Sequence, residues 1–124
     1  MPAHASHSRT GSPPPAAVID GIFRALSDPT RRDVVARLSA KPASVSELAA
    51  PYKMAMPSFL EHLKVLEASG LVSSEKKGRV RTYQLASERL KVAEDWLSRQ
   101  RRLWEQRLDQ LDAYLLKLKK DGVT

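Results

Sequence analysis

From Ser87 to about Lys120 the chain runs without a glycine or a proline, and apolar residues return on a fixed beat: Leu90, Leu97, Trp104, Leu111 and Leu118 follow one another at heptad spacing. Ala93, Leu108, Tyr114 and Leu115 widen the same stripe. An unbroken recurrence of this kind predicts one helix, or two nearly collinear ones, with a continuous apolar seam. At about 1.5 Å per residue that helix is about 50 Å long. The whole chain has 124 residues, room for one compact domain and a tail, and so small a domain cannot cover a seam of that length. Part of the stripe therefore calls for a second copy of the chain, the other arrangement being a helix folded back on its own core.

Ahead of this segment the pattern is a series of short helices. Residues 1–17, MPAHASHSRTGSPPPAA, are rich in Pro, Ser, Gly and Ala with no apolar period, so a flexible tail is expected there, with His4 and His7 solvated in it. Order is expected to begin at Val18, where Val18, Ile19, Ile22, Phe23 and Leu26 make an amphipathic helix. In SDPTRRDVVARL, Ser27 or Asp28 suits a cap, Pro29 the first turn, and Val34, Val35 and Leu38 the buried side. The break at Ala40, Lys41 and Pro42 ends that helix, and Ser44 with Glu47 fits a capping box that opens a short third one through Leu48 and Ala49. Pro51 and Tyr52 interrupt.

The next stretch, PSFLEHLKVLEASGLV over residues 57–72, opens on Pro57 and closes on Gly70. Phe59, Leu63 and Leu66, with Leu60 or Val65 at the margins, commit one side to the core and leave a polar side carrying Ser58, Glu61, His62 and Lys64. After Gly70 the helical period gives way to strands. Residues 71–75 and 80–85 flank Lys76-Lys77-Gly78-Arg79, which reads as a β-hairpin with four cations at or beside its tip: Lys76, Lys77, Arg79 and Arg81.

Composition narrows the function. Lysine and arginine number 21 against 14 acidic residues, and the formal charge of +7 favours a polyanionic partner. The absence of cysteine excludes disulfides and thiolate metal sites. No apolar run of about 18 residues is present to span a bilayer, and the N-terminus has no signal-peptide core, so a cytoplasmic protein away from membranes is expected. A Gly-rich phosphate loop, metal-ligand spacing and a nucleophile with an ordered base are all missing. No enzyme and no cofactor is expected.

Helix, helix, short helix, turn, helix and basic hairpin is the order of a winged helix-turn-helix, a mainly α fold with a small β-hairpin. The plan is a tail over 1–17, a DNA-binding domain over 18–86, a long C-terminal dimerisation helix over 87–120 and a short tail over 121–124. In that geometry the helix after the turn enters the major groove of double-stranded DNA and the wing lies along the backbone. Met56, Ser58, Glu61 and His62 are then candidates for base-edge or groove contacts and Lys64 for a phosphate, with Lys76, Lys77, Arg79 and Arg81 on phosphates as well. Glu61 either accepts from cytosine N4 or repels phosphate and tunes affinity, and His62 has the alternative of a surface histidine bonded to nearby backbone.

The run from FRALSDPTRRDVVARL through SVSELA to HLKVLEASGLVSSEKKGRVRTYQL resembles the ArsR-type (ArsR/SmtB) winged-helix repressors over roughly residues 18–120. The resemblance implies a homodimer that binds an operator, usually represses its own operon and is released by a signal. The dimer contacts would be Ile22 from the first helix with Leu90, Leu97, Trp104, Leu111, Tyr114 and Leu118. Metal sensors of the family carry a cysteine pair where this chain has Glu47-Leu48-Ala49-Ala50, or carboxylate and histidine ligands in the last helix, which here has no histidine. WLSRQRRLWEQRLDQLDAYL instead is similar to the tail of a metal-independent branch. Many relatives also carry a serine and a basic residue where Leu60 and Glu61 stand here, which leaves the fold intact and the operator sequence open. An unidentified small-molecule effector at the dimer interface, a redox change at Met54 or Met56, or no intrinsic signal are the options left open. A protein-interaction module built on the long helix is the competing function.

Overall fold

The computed structural model describes residues 15–122 and divides into two compact units after Val92. The first unit holds four helices, α1 (Ala16–Leu26), α2 (Pro29–Ala40), α3 (Val45–Ala49) and α4 (Met56–Ala68), and the strands β1 (Ala43–Ser44), β2 (Val72–Lys77) and β3 (Val80–Leu85). It also contains the start of α5 (Ser87–Lys120). Helix α1 begins at Ala16, behind Pro15, two residues ahead of the expected Val18. Most of the stretch read as a tail lies outside the described residues.

The α1–α2 corner is built from polar atoms that answer helix ends. Asp28 is the N-cap of α2, its carboxylate accepting from the Arg31 N–H at 3.0 Å, while Ser27 turns back to donate to the Arg24 carbonyl at 2.7 Å. Arg31 Nε donates to Ala25 O at 2.8 Å and Arg32 Nη1 to Leu26 O at 2.8 Å, so two arginines of α2 occupy carbonyls left over at the end of α1. Helix α3 opens on the expected capping box: Glu47 N–H donates to Ser44 Oγ at 3.2 Å and Ser44 N–H to Glu47 Oε1 at 2.8 Å.

The hairpin is joined by a third strand. Ser44 and Ala43 pair antiparallel with Thr82 and Tyr83, giving a sheet in the order β1-β3-β2. A strand of two residues is too short to express an alternating pattern, so only the tertiary pairing reveals it. Helix α4 ends where Gly70 takes φ 82°, with Leu71 N–H donating to Leu66 O at 3.2 Å. That turn drops Leu71 into a core shared with Phe59, Leu63, Leu66, Ile22 and Leu48, each at most 1% exposed. Burying such a side chain contributes about 1.5–3 kcal/mol. Leu60 lies at the margin, 39% exposed, because the α1–α2 corner and the sheet fill only the side of α4 that carries Phe59, Leu63 and Leu66.

Helix α5 is continuous over its 34 residues. Leu97, Trp104, Leu111 and Tyr114 are exposed, Leu90 and Leu118 half-buried. Ile22 does not belong with them, since it is wholly buried in its own chain and offers nothing to a partner. Its place in the apolar stripe of α1 made it look available; α2 and α4 have already covered it. No helix among the described residues is long and apolar enough to cross a membrane.

Candidate nucleic-acid interface

Helix α4 follows α3 through a turn whose geometry is set by Tyr52. The Tyr52 ring stacks on Phe59 at 5.5 Å between centroids, and its hydroxyl donates to the Asp33 carboxylate. Arg37 lies over the ring at 5.7 Å while donating to Leu48 O at 2.8 Å and Glu47 O at 2.9 Å. Thus α2 grips both the end of α3 and the turn before α4. Burial, with the Asp33 hydrogen bond next, pushes the Tyr52 phenol up from its ordinary pKa. The sequence pattern marks Tyr52 only as a break; an aromatic between two helices otherwise bounded by Pro51 and Pro57 is the one local sign of an anchor.

The polar residues expected to read DNA divide into three groups around α4. Glu61 and Lys64 stand on the outward side and pair with each other at 3.3 Å. Met56 lies on one shoulder, exposed in the first turn, and Ser58 is exposed on the other. His62 is drawn inward. Its Nδ1 is 3.1 Å from Arg31 Nη1 and 3.8 Å from Asp28 Oδ2. A guanidinium only donates, so Nδ1 is the acceptor and the proton of the neutral ring sits on Nε2. Since Arg31 also donates to Arg24 O at 3.1 Å, His62 fastens α4 to the α1–α2 corner. The Arg31 backbone N–H is the largest influence holding the Asp28 carboxyl below its ordinary pKa; partial burial works against it, and the positive charge that His62 carries when its ring is protonated, with that of Arg31, adds to the lowering.

The register divides the wing cations as well. Lys76 is opposite Arg81 and Ser74 opposite Tyr83, so Lys76 and Arg81 share the sheet face that carries buried Tyr83 and Val72. Lys77 is on the opposite face, 4.0 Å from Glu75, and Arg79 follows Gly78 at the turn, where φ is 64°. Arg81 Nη1 donates to Ser74 Oγ at 2.9 Å, and Ser74 Oγ donates to Glu67 Oε2 at 2.8 Å. This relay connects the wing to the last turn of α4. Equal distances from the turn already pair Lys76 with Arg81 in the sequence, although nothing there announces the Ser74–Glu67 link.

A three-helix core, a short helix and turn before an exposed helix, and a basic hairpin on a three-stranded sheet define a winged helix-turn-helix. A family model described as a helix-turn-helix domain matches residues 26–75. A solved ArsR family transcriptional regulator is 49% identical, the match covering 76% of this chain and 97% of that one with a TM-score of 0.72. An ArsR-like transcriptional regulator from Rhodococcus sp. RHA1 is 32% identical over 78% of this chain and 92% of its own, with a TM-score of 0.68. The HTH-type transcriptional repressor SmtB of Mycobacterium tuberculosis is 35% identical over 82 residues, 64% of this chain and 61% of SmtB, so less than two thirds of that relative's length is matched. The chain belongs to the ArsR family of transcriptional regulators.

Proposed function

We propose that this protein is a sequence-specific regulator of transcription that binds double-stranded DNA as a homodimer and represses its own promoter. The observation that carries the reading is the exposed side of α4 lying on the same unit as a cationic wing, with Arg81 linked through Ser74 to Glu67 of α4. A helix of that exposure suits a major groove about 12 Å wide, and the wing cations suit the flanking phosphates. SmtB, the mycobacterial relative, is named a repressor, which favours repression here. The exposed Leu97, Trp104 and Leu111 seam of α5 supports pairing of two copies.

The signal is not a metal ion in this reading. The chain has no cysteine, and among the described residues no group of three His, Asp or Glu side chains is placed to hold a metal.

A mobility-shift assay on the protein's own promoter tests the function, with wing and helix variants compared at two salt concentrations. Arg79→Ala and Arg81→Ala should weaken binding to all sequences alike and lower the log–log salt slope by about one for each phosphate no longer neutralised. Ser58→Ala and Glu61→Gln should change preference at individual operator bases. If the wing variants shift base preference and the helix variants do not, α4 is not the reading element.

A further inference from the structure

We infer that α4 recognises thymine through its 5-methyl group, with Leu60 as the contacting side chain and Met56 beside it one turn earlier. This rests on the proposed DNA-reading function and names the chemistry that the same surface selects.

Leu60 is 39% exposed and Met56 46%, although the inner line of the helix, Phe59, Leu63 and Leu66, is complete without them. Residues four apart share one line on a helix, so Met56 and Leu60 form a single apolar strip. The strip points along the shoulder that ends at Glu67, the residue that receives the Ser74 hydroxyl and through it Arg81. Phosphate-binding wing and apolar strip therefore lie to the same side of α4. A protein edge with no donor or acceptor is a poor match for guanine O6, adenine N7 or cytosine N4, because each would lose water and gain nothing. The thymine methyl is the one apolar group that the major-groove edge of a base pair displays. Glu61, the next residue, is 69% exposed at its side chain and supplies only acceptors, so it complements an adjacent base with an exocyclic amino group.

The test begins with selection of duplexes from a random library by the full-length chain. Each thymine of the selected half-site is then replaced by uracil, which removes the methyl group and leaves base pairing intact. At one or two thymines per half-site the replacement should weaken wild-type binding about fourfold, the value of one buried methyl-sized group. Leu60→Ala should bind the thymine duplex about as weakly as wild type binds the uracil duplex and should not respond further to uracil. Matching circular-dichroism melts of Leu60→Ala and wild type establish that the variant is folded, and the uracil scan on wild type needs no variant at all. A selected site with no methyl-sensitive thymine overturns the inference while leaving the DNA-reading function standing. Methyl sensitivity retained by Leu60→Ala but abolished by Met56→Ala overturns the assignment to Leu60. If no sequence is enriched at all, the DNA-reading function falls and the inference falls with it.

Discussion

The Arg31 guanidinium serves Ala25 O, Arg24 O and His62 Nδ1 together, so one side chain joins α1, α2 and α4. His62→Ala is therefore expected to cost about 0.5–1.5 kcal/mol of stability, the range for one hydrogen bond, and to weaken DNA binding across sequences rather than change base preference. Urea denaturation and mobility shifts on a set of single-base operator variants measure the two effects separately. Asp28 gives a prediction with a pH sign. Its carboxyl is held below the ordinary value, so the capping contribution is fully present above the unfolded carboxylate pKa of about 3.9 and is lost as pH falls through the lower folded value. Asp28→Ala should destabilise the protein by about 1 kcal/mol at neutral pH, as loss of an N-cap does. The gap between variant and wild type in thermal melts should then close in strong acid. A gap that persists unchanged would mean that Asp28 acts through packing and not through its charge.

Two glycines with positive φ serve different elements. Gly70, at φ 82°, lets α4 stop and Leu71 enter the core, and a Cβ there would stand 2.9 Å from Arg89 Cγ and Nε. Gly78, at φ 64°, turns the wing in open space. Gly70→Ala should cost the left-handed penalty of about 1–2 kcal/mol and more for displacing Arg89, whereas Gly78→Ala should cost the penalty alone. Guanidinium denaturation midpoints rank the two, and equal values would show that Arg89 swings aside freely. The wing itself divides by register: Lys77 has Glu75 at 4.0 Å, while Arg81 is held by Ser74. A cation already positioned loses less freedom on meeting a phosphate, so Arg81→Ala should weaken DNA binding more than Lys77→Ala.

At the scale of the molecule, the second unit carries most of the large apolar side chains that stand exposed among the described residues. Trp104 is 62% exposed, between Leu97 and Leu111 on the same line of α5. In the proposed homodimer these side chains cover one another, at about 25 cal/mol per Å2 of apolar area buried. Leu97→Glu or Leu111→Glu should give monomers or aggregates by sedimentation velocity and light scattering, and tryptophan emission should shift to longer wavelength as the indole meets water. Unchanged dimers would remove α5 from the interface. Zinc, nickel or cadmium at low micromolar levels should leave the operator complex intact in a shift titration, because the chain has no cysteine and the described residues hold no ligand cluster.

What the sequence by itself determined is what neighbours within a turn or two dictate. Pro29 behind Asp28, the Ser44–Glu47 box, Pro57 and Gly70 around α4, and the run without Gly or Pro from Ser87 act on atoms at most four or so residues away, so helix positions, the hairpin and the long last helix were legible in order. The tertiary structure decided what depends on distant partners. Ala43 meets Tyr83 only because α3 and α4 fold between them, and Tyr52 meets Asp33 nineteen positions back across the face of α2. His62 turns inward because Arg31 waits for it, and Ile22 is buried because α2 and α4 close over it. Leu60 stays outside for the converse reason. A helical period of 3.6 fixes which residues share a side, but how wide a strip of that side is covered depends on the width of the elements packed against it, and that width is set by residues far away in the chain.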